Sequence, residues 1–200
     1  MTDTILNREP TPGVSVDAEF LARWSPRAFE PTPLRPEELN TVLEAARWAP
    51  SCFNAQPWRF AYVHRDSLAW PDWLACLVDA NRAWAQHGSA LIAVISRSEY
   101  ERNDKPAPTH SFDAGAAWMS LALQAAKLGL ITHAMQGFDQ SLVRNTLSVP
   151  EVYDIPALVA IGFPGQLEGL PKELRQREAP SSRKTLNEIV FENNFEEMQL

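Results

Sequence analysis

Residues 50–58 read PSCFNAQPW, a stretch rich in residues that favour neither helix nor strand. Its two prolines fix φ and remove backbone donors, while Ser51, Asn54 and Gln56 offer side-chain hydrogen bonds. The stretch follows a segment with helical periodicity and precedes a segment with strand composition. It therefore predicts a rigid polar loop that joins a helix to a strand.

The helix before this loop is predicted to run from Pro36 to Ala49. Proline suits the first turn, two glutamates follow it at the positive end of the helix dipole, and apolar residues recur at i, i+3, i+4 and i+7 from Leu39. A shorter helix with Asp17 as its N-cap should precede it and stop by Pro26.

Strand and helix patterns alternate along the rest of the chain. Strands are expected at 58–64, 90–96 and 155–164, and residues 129–138 are expected to be a strand that enters a loop. Helices are expected at 67–80, 113–128 and 139–147. Residues 81–88 are interpreted as a polar end of the first of these helices, and the tail at 183–191 is compatible with either a helix or a strand. The pattern predicts an α+β or α/β domain that spans residues 1–200, with residues 1–16 as an N-terminal arm.

The helix at 113–128 is apolar around most of its circumference. Only Ser120, Gln124 and Lys127 form a narrow polar stripe. A helix of this kind is buried on several sides. It is therefore expected either at the centre of the domain or at a subunit interface.

Composition limits the classes of function. The 200 residues carry 18 basic and 25 acidic side chains, a net charge of -7, which disfavours a nucleic-acid-binding protein. Any anionic ligand must therefore meet a local basic cluster. Two cysteines are too few for a disulfide scaffold, and neither a signal-like start nor a long apolar segment is present, so we expect a cytoplasmic protein without membrane partners.

Common catalytic motifs are missing from the sequence. It has no GxGxxG after a strand, no GxxxxGK[ST] and no GxSxG. The four histidines are too far apart for an HExxH site and the cysteines are not at CxxC spacing, so no metal site is predicted. Cys52 is a candidate nucleophile because it lies in a polar loop. A small packing side chain is the simpler interpretation, since no histidine or acid is evidently paired with it.

Five segments in order carry a resemblance to a known family. They are RWSPRAF (23–29), AARWAPSCFNAQPWRF (45–60), DAGAAWMSLALQAAKLGL (113–130), MQGF (135–138) and SRKTLNEIV (182–190). Together they resemble the nitroreductase family of FMN-dependent oxidoreductases. The resemblance implies an α+β fold with a central mixed sheet flanked by helices, and an intertwined homodimer with FMN bound at its interface.

The resemblance also implies a basic site for the FMN phosphate. In the family, residues matching Arg23, Ser25 and Arg27 hold the phosphate, the ribityl chain and the pyrimidine edge, and a residue matching Arg183 closes on the phosphate. Guanidinium groups suit a phosphate dianion because charge-assisted hydrogen bonds contribute roughly 1.5–3 kcal/mol each. Taken singly, each arginine could equally be a solvated surface charge.

One departure from the family lies at the phosphate end of this site. Several relatives carry a second basic residue where this chain has Ser181. Whether Lys184 replaces that residue stays open.

Two further segments are implied to meet the flavin ring. The loop would reach the flavin across the dimer interface through Pro50, Ser51, Cys52, Asn54 and Gln56. The turn at Met135, Gln136 and Gly137 would direct backbone N–H groups at flavin N5 and O4, and glycine would allow close approach. Asn81 is implied, less directly, to bind the pyrimidine, and Trp84 stands where relatives often have lysine.

The activity implied is a ping-pong reaction in which NADH or NADPH gives hydride to flavin N5 and a nitroaromatic, quinone or similar small-molecule acceptor then takes the electrons. No side chain is expected to act as a catalytic acid or base, because protons can come from water. The alternatives are a flavin reductase that supplies a monooxygenase, an FMN-binding or sequestering protein without turnover, and a flavin-free structural dimer. The sequence identifies neither the physiological acceptor nor the preferred donor.

Overall fold

The computed structural model describes residues 8–195, in which helices and strands alternate. The strands are β1 (Phe29–Glu30), β2 (Trp58–His64), β3 (Ala90–Arg97), β4 (Ile131–Met135) and β5 (Tyr153–Pro164). The helices are α1 (Ala18–Ala22), α2 (Pro36–Arg47), α3 (Trp70–Ala75), α4 (Asp79–Ala85), α5 (His110–Lys127), α6 (Gln140–Thr146) and α7 (Lys172–Arg175). Residues 8–16 contain no helix or strand, and the first seven residues of the predicted arm lie outside the described part of the chain.

The long strand β5 organises the sheet. It pairs with β3 along one edge and with β4 along the other, while β2 adds to β3 and the short β1 pairs with the end of β5. The predicted α+β class is confirmed. The sheet differs from the expected mixed one, since every strand pair within residues 8–195 is antiparallel. The crossover through α5 makes β3 and β4 parallel to each other, but β5 lies between them.

Helices cover both faces of the sheet. Successive residues of β3 point to opposite faces, so Leu91 belongs to one core cluster and Ile92 to the other. The Ile92 face packs against α2 and α5, and the Leu91 face packs against α3, α4 and α6. Because both faces are covered, β3 is apolar from Ala90 to Ile95, and the strand predicted at 90–96 is confirmed.

Most predicted elements are present with shifted ends. α2 ends at Arg47, before the expected Ala49, and α5 begins at His110, before the expected Asp113. The segment expected as one helix at 67–80 is two helices, and the polar stretch after it forms most of α4. That stretch is helical because Trp84 and Ala85 are buried while its polar side chains face outward.

The C-terminal segment returns to the start of the chain. The backbone N–H of Gly165 donates to the Ala28 carbonyl at 2.7 Å, next to the pairing of β1 with β5. The tail that could have been helix or strand forms only a short 3₁₀ turn at Leu186–Glu188. Every helix in the described chain is too short or too polar to span a lipid bilayer.

Candidate functional site

Basic side chains from the two ends of the chain line two adjoining cavities. The larger has a volume of about 570 Å³ and the smaller about 470 Å³, and Arg23, Ser181 and Arg183 line both. Arg8 and Lys184 add to the wall of the larger cavity. Arg23 and Arg183 are 160 residues apart in sequence, so tertiary structure alone brings them together.

Arg23 is the half-buried centre of this cluster. It follows α1 directly, where its carbonyl accepts hydrogen bonds from both terminal nitrogens of Arg8 at 3.2 Å. One terminal nitrogen of its own guanidinium donates to Ser25 Oγ at 3.4 Å. Burial, and then the neighbouring Arg8 and Arg183, lower the pKa of Arg23. Positive charges that repel one another at such close range favour the binding of an anion between them.

Arg183 lies in an exposed segment at the mouth of both cavities. One terminal nitrogen of its guanidinium donates to the carbonyls of Ser181 and Ser182 and to the Ser181 hydroxyl, all within 3.1 Å. These bonds leave its other nitrogens available to a ligand. Lys184 lies beside it in the wall of the larger cavity, while Ser181 provides no charge. That Lys184 replaces the missing basic residue stays a prediction.

Arg27 is held by Glu178, a residue that the sequence did not suggest. The Glu178 carboxylate is only 2% exposed. It accepts from the backbone N–H groups of Arg27 and Ala28 and lies 3.5 Å from the Arg27 guanidinium. The two residues are 151 positions apart, and no local pattern could have connected them. Glu178 thus fixes Arg27 beside Arg23 in the wall of the smaller cavity.

His133 is a second wall residue that the sequence did not indicate. It lies on β4, where its Nδ1 is 3.1 Å from the Pro26 carbonyl and its ring centroid is 4.6 Å from that of Trp84. Burial, and then the charge of Arg27, lower the pKa of His133. The smaller cavity therefore presents a neutral imidazole among its arginines at neutral pH.

The turn after β4 contacts Asn81. Both the turn and Asn81 are predicted to bind the flavin. The Gly137 carbonyl accepts from Asn81 Nδ2 at 3.0 Å and from the Val78 backbone N–H at 3.1 Å. A Cβ at position 137 would lie 2.6 Å from Asn81 Nδ2, which explains the glycine. Met135 is buried and Gln136 is exposed. β4 thus leads from the basic cavities to this turn, about 13 Å over the four residues from His133 to Gly137.

The PSCFNAQPW loop is rigid and strained. A 3₁₀ turn at Cys52–Asn54 is tied to α5 by the backbone N–H of Cys52, which donates to Asp113 Oδ2 at 3.1 Å, and the Gln56 N–H donates to Ser51 Oγ at 3.0 Å. Three of its non-glycine residues have positive φ: Phe53 (52°), Asn54 (54°) and Gln56 (47°). Strained backbone of this kind is concentrated at functional sites. The predicted rigid loop is confirmed, and Trp58 anchors it in the core.

The segment after β3 covers this loop. Tyr100 donates from its hydroxyl to Cys52 Sγ at 3.5 Å and meets the Phe53 ring edge-on at 6.2 Å between centroids. The Arg102 guanidinium lies over both aromatic rings, at 4.8 Å from Phe53 and 5.2 Å from Tyr100. The hydrogen bond to Cys52 raises the pKa of Tyr100. The Cys52 thiol accepts the hydrogen bond from Tyr100, and among the described residues it is not paired with a histidine or an acid. The hypothesis that Cys52 is a nucleophile therefore gains no support.

The loop and the basic cavities lie at different places along α5. The loop is tied to Asp113 near the start of that helix, whereas Met119 of the same helix lines the larger cavity. Six helical positions separate Asp113 from Met119, about 9 Å. The two parts of the predicted site therefore belong to separate surfaces of one chain.

Along its length, α5 presents an apolar stripe that its own chain does not fully cover. Phe112 is 80% exposed and Met119 is half-buried. The small residues Gly115 and Ala116 lie between them, and the half-buried Leu123 continues the stripe one turn further on. One face of α5 is therefore buried in the core, whereas this stripe is not fully covered within one chain.

Comparison with known proteins identifies the fold. The model of the Nitroreductase family matches residues 21–90 and 76–163. The chain belongs to the nitroreductase family. This nitroreductase-family chain is 31% identical over 193 residues to an NADH dehydrogenase of Thermus thermophilus, an alignment that covers 80% of this chain and 91% of the relative.

Solved structures agree with this assignment. A crystal structure described as an oxidoreductase containing FMN is 43% identical, with a TM-score of 0.90 and coverage of 99% of this chain and 100% of that one. An FMN-dependent nitroreductase of Clostridium difficile R20291 shares the fold at 22% identity, with a TM-score of 0.64 and coverage of 87% and 96%. The nitroreductase-like α+β fold predicted from the sequence is therefore confirmed.

Proposed function

We propose that this protein is an FMN-dependent NAD(P)H oxidoreductase of the nitroreductase type, active as a homodimer. The observation that carries the proposal is the convergence of Arg23 and Arg183, from opposite ends of the chain, on shared cavities. The names of its relatives, an NADH dehydrogenase and an oxidoreductase containing FMN, support the same conclusion.

The residues of one subunit suit one mononucleotide. Arg23 and Arg183 bind the phosphate, and the Ser25 hydroxyl lies beside it for the ribityl chain. Arg27, fixed by Glu178, lines the smaller cavity and is our candidate for the electron-rich edge of the pyrimidine. When bound, FMN accepts hydride from NAD(P)H and passes electrons to an acceptor.

The turn at the end of β4 serves the reactive part of the ring. The hydrogen bonds to the Gly137 carbonyl fix the turn, which leaves its neighbouring backbone N–H groups at a defined position. Donors held in place before the reaction need no reorganisation during it. We assign no side chain as a general acid or base, because the reduced acceptor can take protons from water.

A second copy of the chain would complete the site. The strained loop is tied to the start of α5, and no residue of the loop lines either cavity of its own subunit. We expect two copies to pack through the apolar stripe of α5 in opposite directions, with each loop directed towards the basic cavities of the other copy. Gly115 and Ala116 would allow close approach of the two helices, because a Cβ at Gly115 would meet no atom of residues 8–195 within 4 Å apart from the backbone of its own helix.

An anaerobic titration tests the proposed activity. Purified protein loaded with FMN should lose its flavin absorbance when NADH or NADPH is added, and a panel of nitroaromatics, quinones and free flavin should restore it. Flavin that binds but does not bleach with either donor would favour a flavin-sequestering protein. Restoration by free flavin alone would favour a flavin reductase that supplies another enzyme.

The phosphate site has its own test. Removing one guanidinium contact should weaken FMN binding about 10- to 100-fold in Arg23→Ala and in Arg183→Ala. Arg35→Ala, which removes an exposed arginine at the start of α2, is the matched control and should leave FMN affinity unchanged. Unchanged affinity in both cavity variants would contradict the assignment. Light scattering of the unsubstituted protein should give the mass of two chains.

A further inference from the structure

Arg8 is a cation of the larger cavity that neither the sequence motifs nor the family resemblance included. It belongs to the N-terminal arm, whose residues 8–12 line this cavity opposite the Arg183 segment. Four basic side chains border the cavity (Arg8, Arg23, Arg183 and Lys184), and within the described chain Glu9 is the acidic side chain that borders it. The cavity therefore carries more positive charge than Arg23 and Arg183 alone would supply.

The contact between Arg8 and Arg23 fixes the geometry of the pair. Both terminal nitrogens of Arg8 donate to the Arg23 carbonyl, which holds the Arg8 guanidinium beside the residue assigned to the phosphate. A guanidinium has five N–H donors, so further donors stay available for an anion. Burial, and then the charge of Arg183, lower the pKa of Arg8, which agrees with guanidinium groups brought near each other without a counter-ion.

The arm that carries Arg8 has restricted conformations. Pro10 and Pro12 fix φ at alternate positions, and the Val14 N–H donates to the Thr11 carbonyl at 2.9 Å in a tight turn. The cost of ordering this segment around a ligand is therefore smaller than for an unrestrained arm.

We propose that Arg8 is a third guanidinium for the phosphate of the bound mononucleotide, and that residues 8–12 of the N-terminal arm cover that phosphate as a strap. This inference rests on the proposed function, because it takes FMN as the ligand. A simpler role for Arg8 makes a different prediction. In that role Arg8 attaches the arm to the Arg23 carbonyl at the end of α1, where the helix dipole favours a cation without any ligand.

Comparing FMN with riboflavin separates these two roles, since riboflavin has the same ring and ribityl chain but no phosphate. We expect Arg8→Ala to weaken FMN binding about 10- to 100-fold and to leave riboflavin binding unchanged. Arg8→Lys should recover part of the loss, because lysine keeps the charge but not the planar fork. Arg35→Ala again removes one exposed charge and should match the unsubstituted protein with both ligands.

Two readouts make the outcome independent of turnover. Dissociation constants come from fluorescence quenching of each flavin. The FMN-induced rise in melting temperature should shrink in Arg8→Ala, shrink less in Arg8→Lys and stay unchanged in Arg35→Ala. Equal losses for FMN and riboflavin, or an unchanged FMN affinity in Arg8→Ala, would overturn the strap proposal while leaving FMN binding intact. Failure of the unsubstituted protein to bind FMN would overturn the proposed function itself.

Discussion

Replacing Gly137 by alanine tests whether the turn after β4 is held by close packing. A Cβ there would lie 2.6 Å from Asn81 Nδ2 and 3.0 Å from Val78 Cγ2. The Asn81 amide cannot move away without losing its 3.0 Å hydrogen bond to the Gly137 carbonyl. The methyl group therefore conflicts with the interaction that fixes the turn.

The expected cost follows from these two contacts. Overpacking costs about 1–3 kcal/mol and the hydrogen bond contributes about 1 kcal/mol, so Gly137→Ala should lower the free energy of unfolding by about 2–4 kcal/mol. Gly169→Ala is the matched control, because a Cβ at Gly169 meets no atom within 4 Å. Its effect should stay within about 0.5 kcal/mol.

Urea unfolding of both variants, at one protein concentration because a dimer is expected, measures these differences. The variant Asn81→Ala removes the amide that the new methyl group would strike. The loss of unfolding free energy in the double variant Asn81→Ala/Gly137→Ala should therefore be smaller than the sum of the two single losses by about 1 kcal/mol or more. Additive effects, or a Gly137→Ala cost no larger than that of the control, would refute this account of the turn.

Two further predictions concern the walls of the smaller cavity. Glu178→Ala leaves the backbone N–H groups of Arg27 and Ala28 without their acceptor, so it should lower the free energy of unfolding in urea by about 2–4 kcal/mol. Glu178→Gln should recover part of this loss, because its amide oxygen still accepts. Equal losses in the two variants would argue against that role of Glu178. The folded protein binds a proton at His133 less readily than the unfolded chain does, since its pKa is lowered in the fold. The contribution of His133 to stability is therefore present above pH about 6.5 and is lost as the pH falls below that value. His133→Asn should weaken the dependence of the unfolding free energy on pH in that range. An unaltered pH dependence would exclude His133 as its source.

Local pattern was sufficient for most of the fold. The apolar period of α2, the β-branched and apolar residues of β3 and the proline-rich loop at 50–58 each depend on neighbours in the chain, and the helix, the strand and the loop predicted from them are present. The end of α3 and the start of α4 were missed because the burial of Trp84 under the sheet, and not local propensity, makes that stretch helical. The antiparallel sheet was missed because the position of β5 between β3 and β4 is a property of the whole topology.

The same division applies to the candidate site. The motif residues Arg23, Ser25 and Arg27 could be named from sequence because they are close together and match a known family. Glu178, His133 and Arg8 could not, because each gains its role from a partner distant in sequence: Arg27, the Pro26 carbonyl and the Arg23 carbonyl.

The sequence by itself determined the α+β class, the loop and the basic residues at both ends of this protein, since hydrophobic periodicity, proline geometry and charge are properties of neighbouring residues. Only the tertiary structure decided that the two ends share one pair of cavities and that the loop, tied to the start of α5, lies outside both of them. The physical reason is that residues far apart in sequence meet only where β-pairing and helix packing bring their segments together.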